Sequence, residues 1–510
     1  MAFAIDIPPL SLVLSALLVV VLAYGVRLSL QPPFPPGPAS RFFTGNIHQI
    51  PRQDTWKTYL KWAKQYGPIF LLRLFNRKVI VLNTHTAVMD LLESRSANYS
   101  ERPASWMFKE LVGRKWSVFN ISASNPRFKA YRRLLHSALD HKAVQSYFPL
   151  LSRHNILLLR SIHAQPDAYI THIRRNSGGI ILELAYGRTV DSDADDFVRV
   201  VEESFKLQAE LMRPGRWLVD IFPMLRFMPP WLPGASFKLQ AEKYKEEFRR
   251  LDRIPHEWAM KQIRSGSHIP SFTSRYMRPV DGNTPDGERE DIIKWCSAAL
   301  YVGGADTTVS TMASFFLLMT LNPEAQRQAQ EEIDRVVGTE RFPNIEDREK
   351  LPYVNALIKE VLRRAPVAPL GIAHAALNDD TYQGFLIPKG SSIVANIWAL
   401  LHDPAVYPEP LKFDPGRFVG DASSVQYDSS HYAFGFGRRA CIGLHFAKVS
   451  LFLNIASVLA AFSILKPLDD KGVEYDPPFE FISAITAHPK PFRCRIIARP
   501  HAVELLQSLE

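Results

Sequence analysis

The feature that most constrains this 510-residue chain is a run of ten residues, Phe434-Gly435-Phe436-Gly437-Arg438-Arg439-Ala440-Cys441-Ile442-Gly443, which sets one cysteine among glycines and arginines. A lone cysteine is ordinarily a small buried hydrophobe, but these surroundings are unusual. Gly437 and Gly443 let the backbone turn tightly and approach a flat ligand closely, which a Cβ would hinder. Arg439 can reach an anionic group at the edge of such a ligand. Backbone N–H groups aimed at the sulfur, with positive charge nearby, keep a thiolate ionised as a metal ligand. The other cysteines, Cys296 and Cys494, make the total odd and lack framework spacing, so a disulfide scaffold is not expected and both should sit unreactive in the core.

The order Phe434, Gly437, Arg439, Cys441, Gly443 satisfies the pattern Phe-x-x-Gly-x-Arg-x-Cys-x-Gly, and on it the segment resembles the signature of the cytochrome P-450 superfamily. The resemblance covers most of the chain, because the other landmarks of that family follow in the expected order. It implies haem b (iron protoporphyrin IX) as cofactor, Cys441 as the iron ligand, and Phe434, Arg439 and Gly443 as part of the haem-binding loop.

Composition agrees with a folded protein able to bury a large core: 46% hydrophobic, 11% aromatic and 22% charged. The net charge of +10 admits a nucleic acid, a membrane surface or an acidic partner. Lys and Arg are dispersed, with no groove-reading helix or stacking platform, so nucleic acid is not expected.

From Ile7 to Val26 no residue is charged, and about 20 residues at about 1.5 Å each span a bilayer's hydrocarbon layer. One transmembrane anchor over residues 1–30 is expected rather than a cleaved signal peptide, since no Lys or Arg precedes the run and no clean small-residue cleavage site follows. Arg27, Arg41 and Arg52 lie after it, which places the C-terminal bulk in the cytosol. Prolines at 32, 33, 35, 36 and 38 make residues 31–38 a semi-rigid hinge. Residues 39–510 would form the catalytic domain. An anchor followed by such a hinge resembles microsomal members of the family and implies a single-pass protein of the endoplasmic reticulum membrane.

Along the domain, Lys78–Leu82 reads as a strand and residues 381–398 as hairpin structure around a Pro388-Lys389-Gly390 turn. The rest is dominated by helical periodicity. Asn322-Pro323-Glu324 reads as a helix start with Asn322 as cap. The expected fold is mainly α with small β-sheets, which the resemblance specifies as the cytochrome P-450 fold, a triangular helical haem domain preceded by one N-terminal transmembrane helix.

Residues 291–321 read as one long buried helix whose centre is Gly303-Gly304-Ala305-Asp306-Thr307-Thr308. Two interior glycines cost about 1 kcal/mol each against alanine, so they need a reason: a ligand lying on the helix, or close helix packing. The run is similar to the family's oxygen-activation motif, mapping Asp306 onto the acid and Thr307 onto the alcohol of a proton relay. Glu360 and Arg363, at i and i+3, together with Arg417 resemble the family's structural Glu-x-x-Arg lock, although Gly416 stands where an acid usually precedes that arginine. Haem carries two propionates, and Arg132, His374 and Arg439 match the family's partners for them. Phe128 replaces the usual tryptophan, removing an indole donor.

Met107, Phe108, Leu111, Trp116 and Phe119 resemble a substrate-recognition loop, and Met212–Trp231, broken by prolines, resembles a lid that dips into the membrane. Residues 299–302 and 367–370 should line an apolar cavity for a lipophilic small molecule. The resemblance thus implies a monooxygenase that inserts one oxygen atom from O2, in one or more steps, with electrons from an NADPH-dependent diflavin reductase, since no Gly-rich nucleotide fingerprint is present. Lys129, Arg133, Arg438 and Lys448 could meet an acidic reductase surface. The chain looks most like fungal microsomal enzymes of secondary metabolism acting on terpenoids or polyketides. A haem-thiolate isomerase or synthase and a non-catalytic haem sensor or carrier are the alternatives. Asp306-Thr307 argues against the first, and the relay, hinge and lid against the second.

Overall fold

Thr55–Tyr66 (α1) leads into an antiparallel pair, Ile69–Leu74 (β1) and Arg77–Leu82 (β2), in register from Ile69 opposite Leu82 to Leu74 opposite Arg77. The computed structural model describes residues 19 and 31–508 except 191, 193–194, 214, 280–284, 422–424 and 483–484. Apart from Val19, the expected span Ile7–Val26 lies outside the described residues. The proline segment is docked rather than free: Leu71 N–H donates to Pro36 O and Leu386 N–H to Pro33 O, both at 2.8 Å. Gly37 is required there, because a Cβ would come within 2.1 Å of Leu71 O.

The longer helices that follow are Pro126–Leu139 (α2), Phe148–Ala164 (α3), Tyr169–Tyr186 (α4), Asp196–Leu211 (α5), Ser236–Arg264 (α6), Gly287–Leu321 (α7), Pro323–Val337 (α8) and Pro352–Arg364 (α9). Asp286 caps α7 by accepting the Arg289 N–H, and Glu288 and Glu290 favour the positive end of its dipole. Every residue from Val309 to Thr320 is buried, so α7 is wrapped on all sides. Its first half shares a core with α2, α4 and α6; its second half packs Phe315, Phe316 and Met319 among residues of α3 and α9. Pro323 stops the helix. Asn322 occupies the cap position of α8 but turns its side chain back to donate to Leu318 O at 2.8 Å.

Four short strands come next: His374–Ala375 (β3), Asp380–Tyr382 (β4), Phe385–Ile387 (β5) and Ser392–Ala395 (β6). The sheet order is β1-β2-β6-β3, with β6 parallel to β2 and antiparallel to β3. The hairpin expected around Pro388-Lys389-Gly390 is instead β4–β5, turning at Gln383-Gly384. Both turn residues have positive φ, +50° and +80°, the geometry that matches strand twist in a two-residue hairpin. Pro388–Gly390 carries the chain out of that hairpin and into β6.

Leu444–Ala461 (α10) is the one helix among the described residues long and apolar enough to cross a membrane, but 78% of it is buried inside the fold, so it is a core helix. Phe462–Leu465 (β7), Phe481–Ile482 (β8), His488–Pro489 (β9), Arg495–Ala498 (β10) and Ala502–Ser508 (α11) complete the chain. Cys296 is fully buried and Cys494 half-buried, and burial pushes the Cys494 thiol up to about 11, so both are unreactive, as expected.

Arg363 of α9 donates from Nε and Nη2 to the Glu360 carboxylate at 2.7 and 2.8 Å, and Arg417 Nε reaches the same carboxylate at 3.4 Å. Glu360 and Arg363 are fully buried. The two guanidinium groups also bind the carbonyls of Leu401, Glu409, Pro410 and Lys412, pinning the segment that leads towards the cysteine loop. Gly416 leaves no gap in local bonding, since its N–H donates to Asp414 at 2.9 Å.

Candidate active site

Cys441 lies in the turn that delivers the chain into α10. Its N–H donates to Phe434 O at 2.8 Å and closes the loop. Gly435 and Gly437 have φ of +73° and +52°. A Cβ on Gly437 would also lie 2.3 Å from Leu92 O, so only glycine lets the loop press on the turn Met89–Ser94, where Glu93 accepts the Gly437 N–H at 2.6 Å. Phe434 itself is half-buried against the second core.

The Cys441 side chain is accessible on one side yet ringed by protein. That loss of hydration is the largest influence and leaves the thiol above its ordinary value, although the Gly443 N–H and the Arg132 guanidinium pull it down. The N-terminus of the 18-residue α10 lies beside it and also favours a negative sulfur. These are the donors a metal-bound thiolate needs.

A group of cations stands near the loop. Arg439 donates to Ser100 O at 2.8 Å, to Val118 O at 3.3 Å and to Ile121 O, and its guanidinium lies 4.3 Å over the Phe128 ring. Phe128 thus serves as a floor for Arg439 where an indole donor was missed. Arg132 of α2 donates to Ala440 O at 2.7 Å, and His374 Nδ1 lies 2.7 Å from Tyr99 O. Arg102, absent from the sequence reading, donates to the carbonyls of Phe119, Ile372 and Ala373. Burial, then the charge of Arg439, pushes Arg102 down to about 9. Burial pushes Arg439 down to about 10, and burial, then Arg102, takes His374 down to about 3. Among the described residues, Arg102, Arg132 and Arg439 have no carboxylate within ion-pair distance. Half-buried cations without an ion-pair partner favour an anionic ligand, which fits a macrocycle that bears two carboxylates. His136 and Arg133 are exposed on α2, and Lys129 and Arg438 are exposed as well.

On α7 the two glycines divide their roles. A Cβ on Gly304 would lie 2.4 Å from Ile181 Cδ1 of α4, so Gly304 permits close helix packing, whereas one on Gly303 would meet only Phe119 at 3.6 Å, leaving that side open to a ligand. Thr307 Oγ1 donates to Gly303 O at 2.7 Å, taking up a backbone carbonyl in the turn. Asp306 does not point along the same path. Its carboxylate accepts from Thr486 at 2.5 Å and lies 3.1 Å from His488 Nε2. Burial alone would raise the Asp306 carboxyl, but His488 and Thr486 outweigh it and hold it below the usual range. Neither partner was visible from the sequence.

A cavity lies along α7, walled by Phe108, Phe119, Phe248, Trp295, Ala299 and Val302. Met107, expected there, is buried in the core, Trp116 sits at the surface, and residues 367–370 are not part of this wall. Val367 instead accepts the Ala487 N–H at 2.7 Å. In the expected lid, Leu218–Ile221 and Pro223–Phe227 are short helices, and Met224, Phe227 and Trp231 are 80%, 71% and 79% exposed. Phe43 stacks on Phe222 of this lid.

Residues 35–495 match the family model described as Cytochrome P450. The chain is 38% identical over 499 residues to Cytochrome P450 monooxygenase 208 of Postia placenta, covering 97% of this chain and 96% of that protein. It is 38% identical to Cytochrome P450 monooxygenase claR of Ampulloclitocybe clavipes, covering 93% and 88%, and 37% identical to Cytochrome P450 monooxygenase ppsD of Aspergillus oryzae, covering 91% and 89%.

Proposed function

The chain belongs to the cytochrome P450 family, whose members are monooxygenases that bind haem b through a cysteine thiolate, and on that premise we propose that Cys441 is the ligand and Asp306 and Thr307 the proton relay. The observation that carries this reading is the Cys441 thiol at the start of α10, served by the Gly443 N–H and Arg132, beside the half-buried Arg102, Arg132 and Arg439, which have no ion-pair partner among the described residues.

When bound, the haem supplies the activation of dioxygen. The polypeptide's part is to hold and move protons and to seat the substrate. Arg102, Arg132, His374 and Arg439 would hold the two propionates. Thr307 spends its own proton on Gly303 O, so its oxygen is left to accept a hydrogen bond. Asp306 would be the proton carrier, loading at the His488 side, and its carboxylate would have to turn from Thr486 to deliver towards Thr307 through water.

The substrate is a lipophilic small molecule, and resemblance to fungal monooxygenases supports a place in secondary metabolism on terpenoids or polyketides. The exposed apolar lid with Phe42 and Phe43 supports seating on the endoplasmic reticulum membrane, with residues 1–30 as anchor and the domain cytosolic. Electrons would come from an NADPH-dependent diflavin reductase docking on Lys129, Arg133, Arg438 and Lys448. The test is stoichiometry with that reductase and 18O2: one labelled oxygen in the product per NADPH supports the reading. Product without NADPH, or haem without any turnover of a library of lipophilic molecules, contradicts it.

A further inference from the structure

The wall of the cavity along α7 is mainly apolar, and its polar members are Arg114, Ser117, Asn120 and Gln208. Gly113, at φ +81°, opens the short turn Arg114–Trp116, which aims Arg114 inward. Arg114 is only 7% exposed, its guanidinium lies 4.9 Å from the ring centres of both Phe248 and Trp295, and one N–H binds the buried Asp252 of α6. Its Nε and Nη2 hydrogens bond to no described residue, although Arg114 is part of the cavity wall. Gln208, also on that wall, has only the weak Met212 sulfur as acceptor, at 3.6 Å. Neither Arg114 nitrogen is a sealed, unpartnered atom, so both keep accessible surface at which an acceptor oxygen can meet the guanidinium fork.

We propose that Arg114 is the specificity residue of the substrate cavity and that it binds a neutral acceptor oxygen, a carbonyl or hydroxyl, on an otherwise apolar substrate. This rests on the haem-thiolate reading for where oxidation occurs, but the ligand contact stands on its own geometry. Asp252 cancels the charge of Arg114, so a carboxylate would bring a second anion to one guanidinium in a poorly hydrated cavity, which disfavours it. From Trp295, beside Arg114, to Thr307 is twelve residues of α7, about 18 Å at about 1.5 Å per residue. The cavity wall on α7 runs from Trp295 to Val302, so a substrate anchored at Arg114 would have to extend beyond it to reach Thr307, which would place oxidation at its end remote from the acceptor oxygen.

The test uses holoenzyme with 2-dodecanone, dodecane and dodecanoate as probes, bound in equilibrium dialysis, a readout that needs no change at the iron. The variant Arg114→Met/Asp252→Leu removes both charges together, so neither is left buried alone. Its ketone-to-alkane affinity ratio should fall about tenfold or more relative to wild type, as for loss of one charge-assisted hydrogen bond. Arg114→Lys keeps a cation beside Asp252 but loses the fork and should give a smaller fall, and Asp252→Asn should shift preference towards dodecanoate. An unchanged ratio in both Arg114 variants overturns the proposal. With reductase, 2-dodecanone should be hydroxylated near the chain end remote from the carbonyl; attack beside the carbonyl overturns the orientation. The reduced carbon monoxide spectrum of each sample separates the two readings: a fallen ratio without a thiolate band leaves Arg114 as the anchor and refutes only the haem ligation.

Discussion

Asp306 Oδ2 lies 3.1 Å from His488 Nε2, so the acid placed beside Thr307 in sequence is gripped by a strand 182 residues further on. Asp306→Asn should lower coupled turnover by about 100-fold, the scale of a lost proton carrier, with haem binding intact. His488→Leu removes the partner that holds Asp306 ionised and should change the solvent isotope effect on turnover. Thr307→Ala should convert NADPH consumption to hydrogen peroxide, measured against product. An unchanged isotope effect in His488→Leu would mean that the contact is only structural.

Gly303 and Gly304 should respond oppositely to alanine. At Gly304 the added Cβ meets Ile181, and overpacking there should cost about 1–3 kcal/mol, partly recovered by Ile181→Val. At Gly303 the contact is ordinary, so stability should hold or rise by about 1 kcal/mol through helix propensity. Denaturant midpoints of the three variants check this.

Glu360→Gln should be among the most damaging changes in the chain. It leaves Arg363 buried without a counter-charge, a loss of about 3–5 kcal/mol, and loosens the carbonyls that the two arginines hold. Haem content per polypeptide after purification is the readout, with a near-complete loss expected.

Glu183 of α4 supplies a pH signature of its own. Burial would raise its carboxyl, but His154 at 3.1 Å and Arg153 outweigh this and hold it below the usual range. The folded state therefore binds this proton later than the unfolded state. Its stability contribution is full above the unfolded carboxylate value and is lost as pH falls below it. Glu183→Gln should flatten the stability decline between pH 5 and pH 3 seen by thermal melting, pH values chosen about the unfolded carboxylate value.

The parts of the site carried by neighbours in sequence were legible before the fold was known. The cysteine loop is ten contiguous residues, Glu360 and Arg363 share one helix face, and the Gly303-Gly304 pair stands out as a helix anomaly. What separated the glycines' tasks was Ile181 on another helix, which no local pattern announces. Arg102, His488 and the Arg114–Asp252 pair were missed for the same reason, each being defined by contacts across long stretches of chain. The hairpin was placed at Pro388–Gly390 because Pro and Gly look like the stronger turn; the paired register of β4 and β5 chose Gln383-Gly384.

The central claim is that Cys441 ligates the haem, and the reduced, carbon monoxide-bound difference spectrum of the membrane-expressed chain tests it most directly. A thiolate-type Soret band in the wild type that is absent from Cys441→Ala, while Cys296→Ala and Cys494→Ala keep it, is the predicted result. A histidine-type band in folded wild type, or a thiolate band that survives Cys441→Ala, would contradict the account.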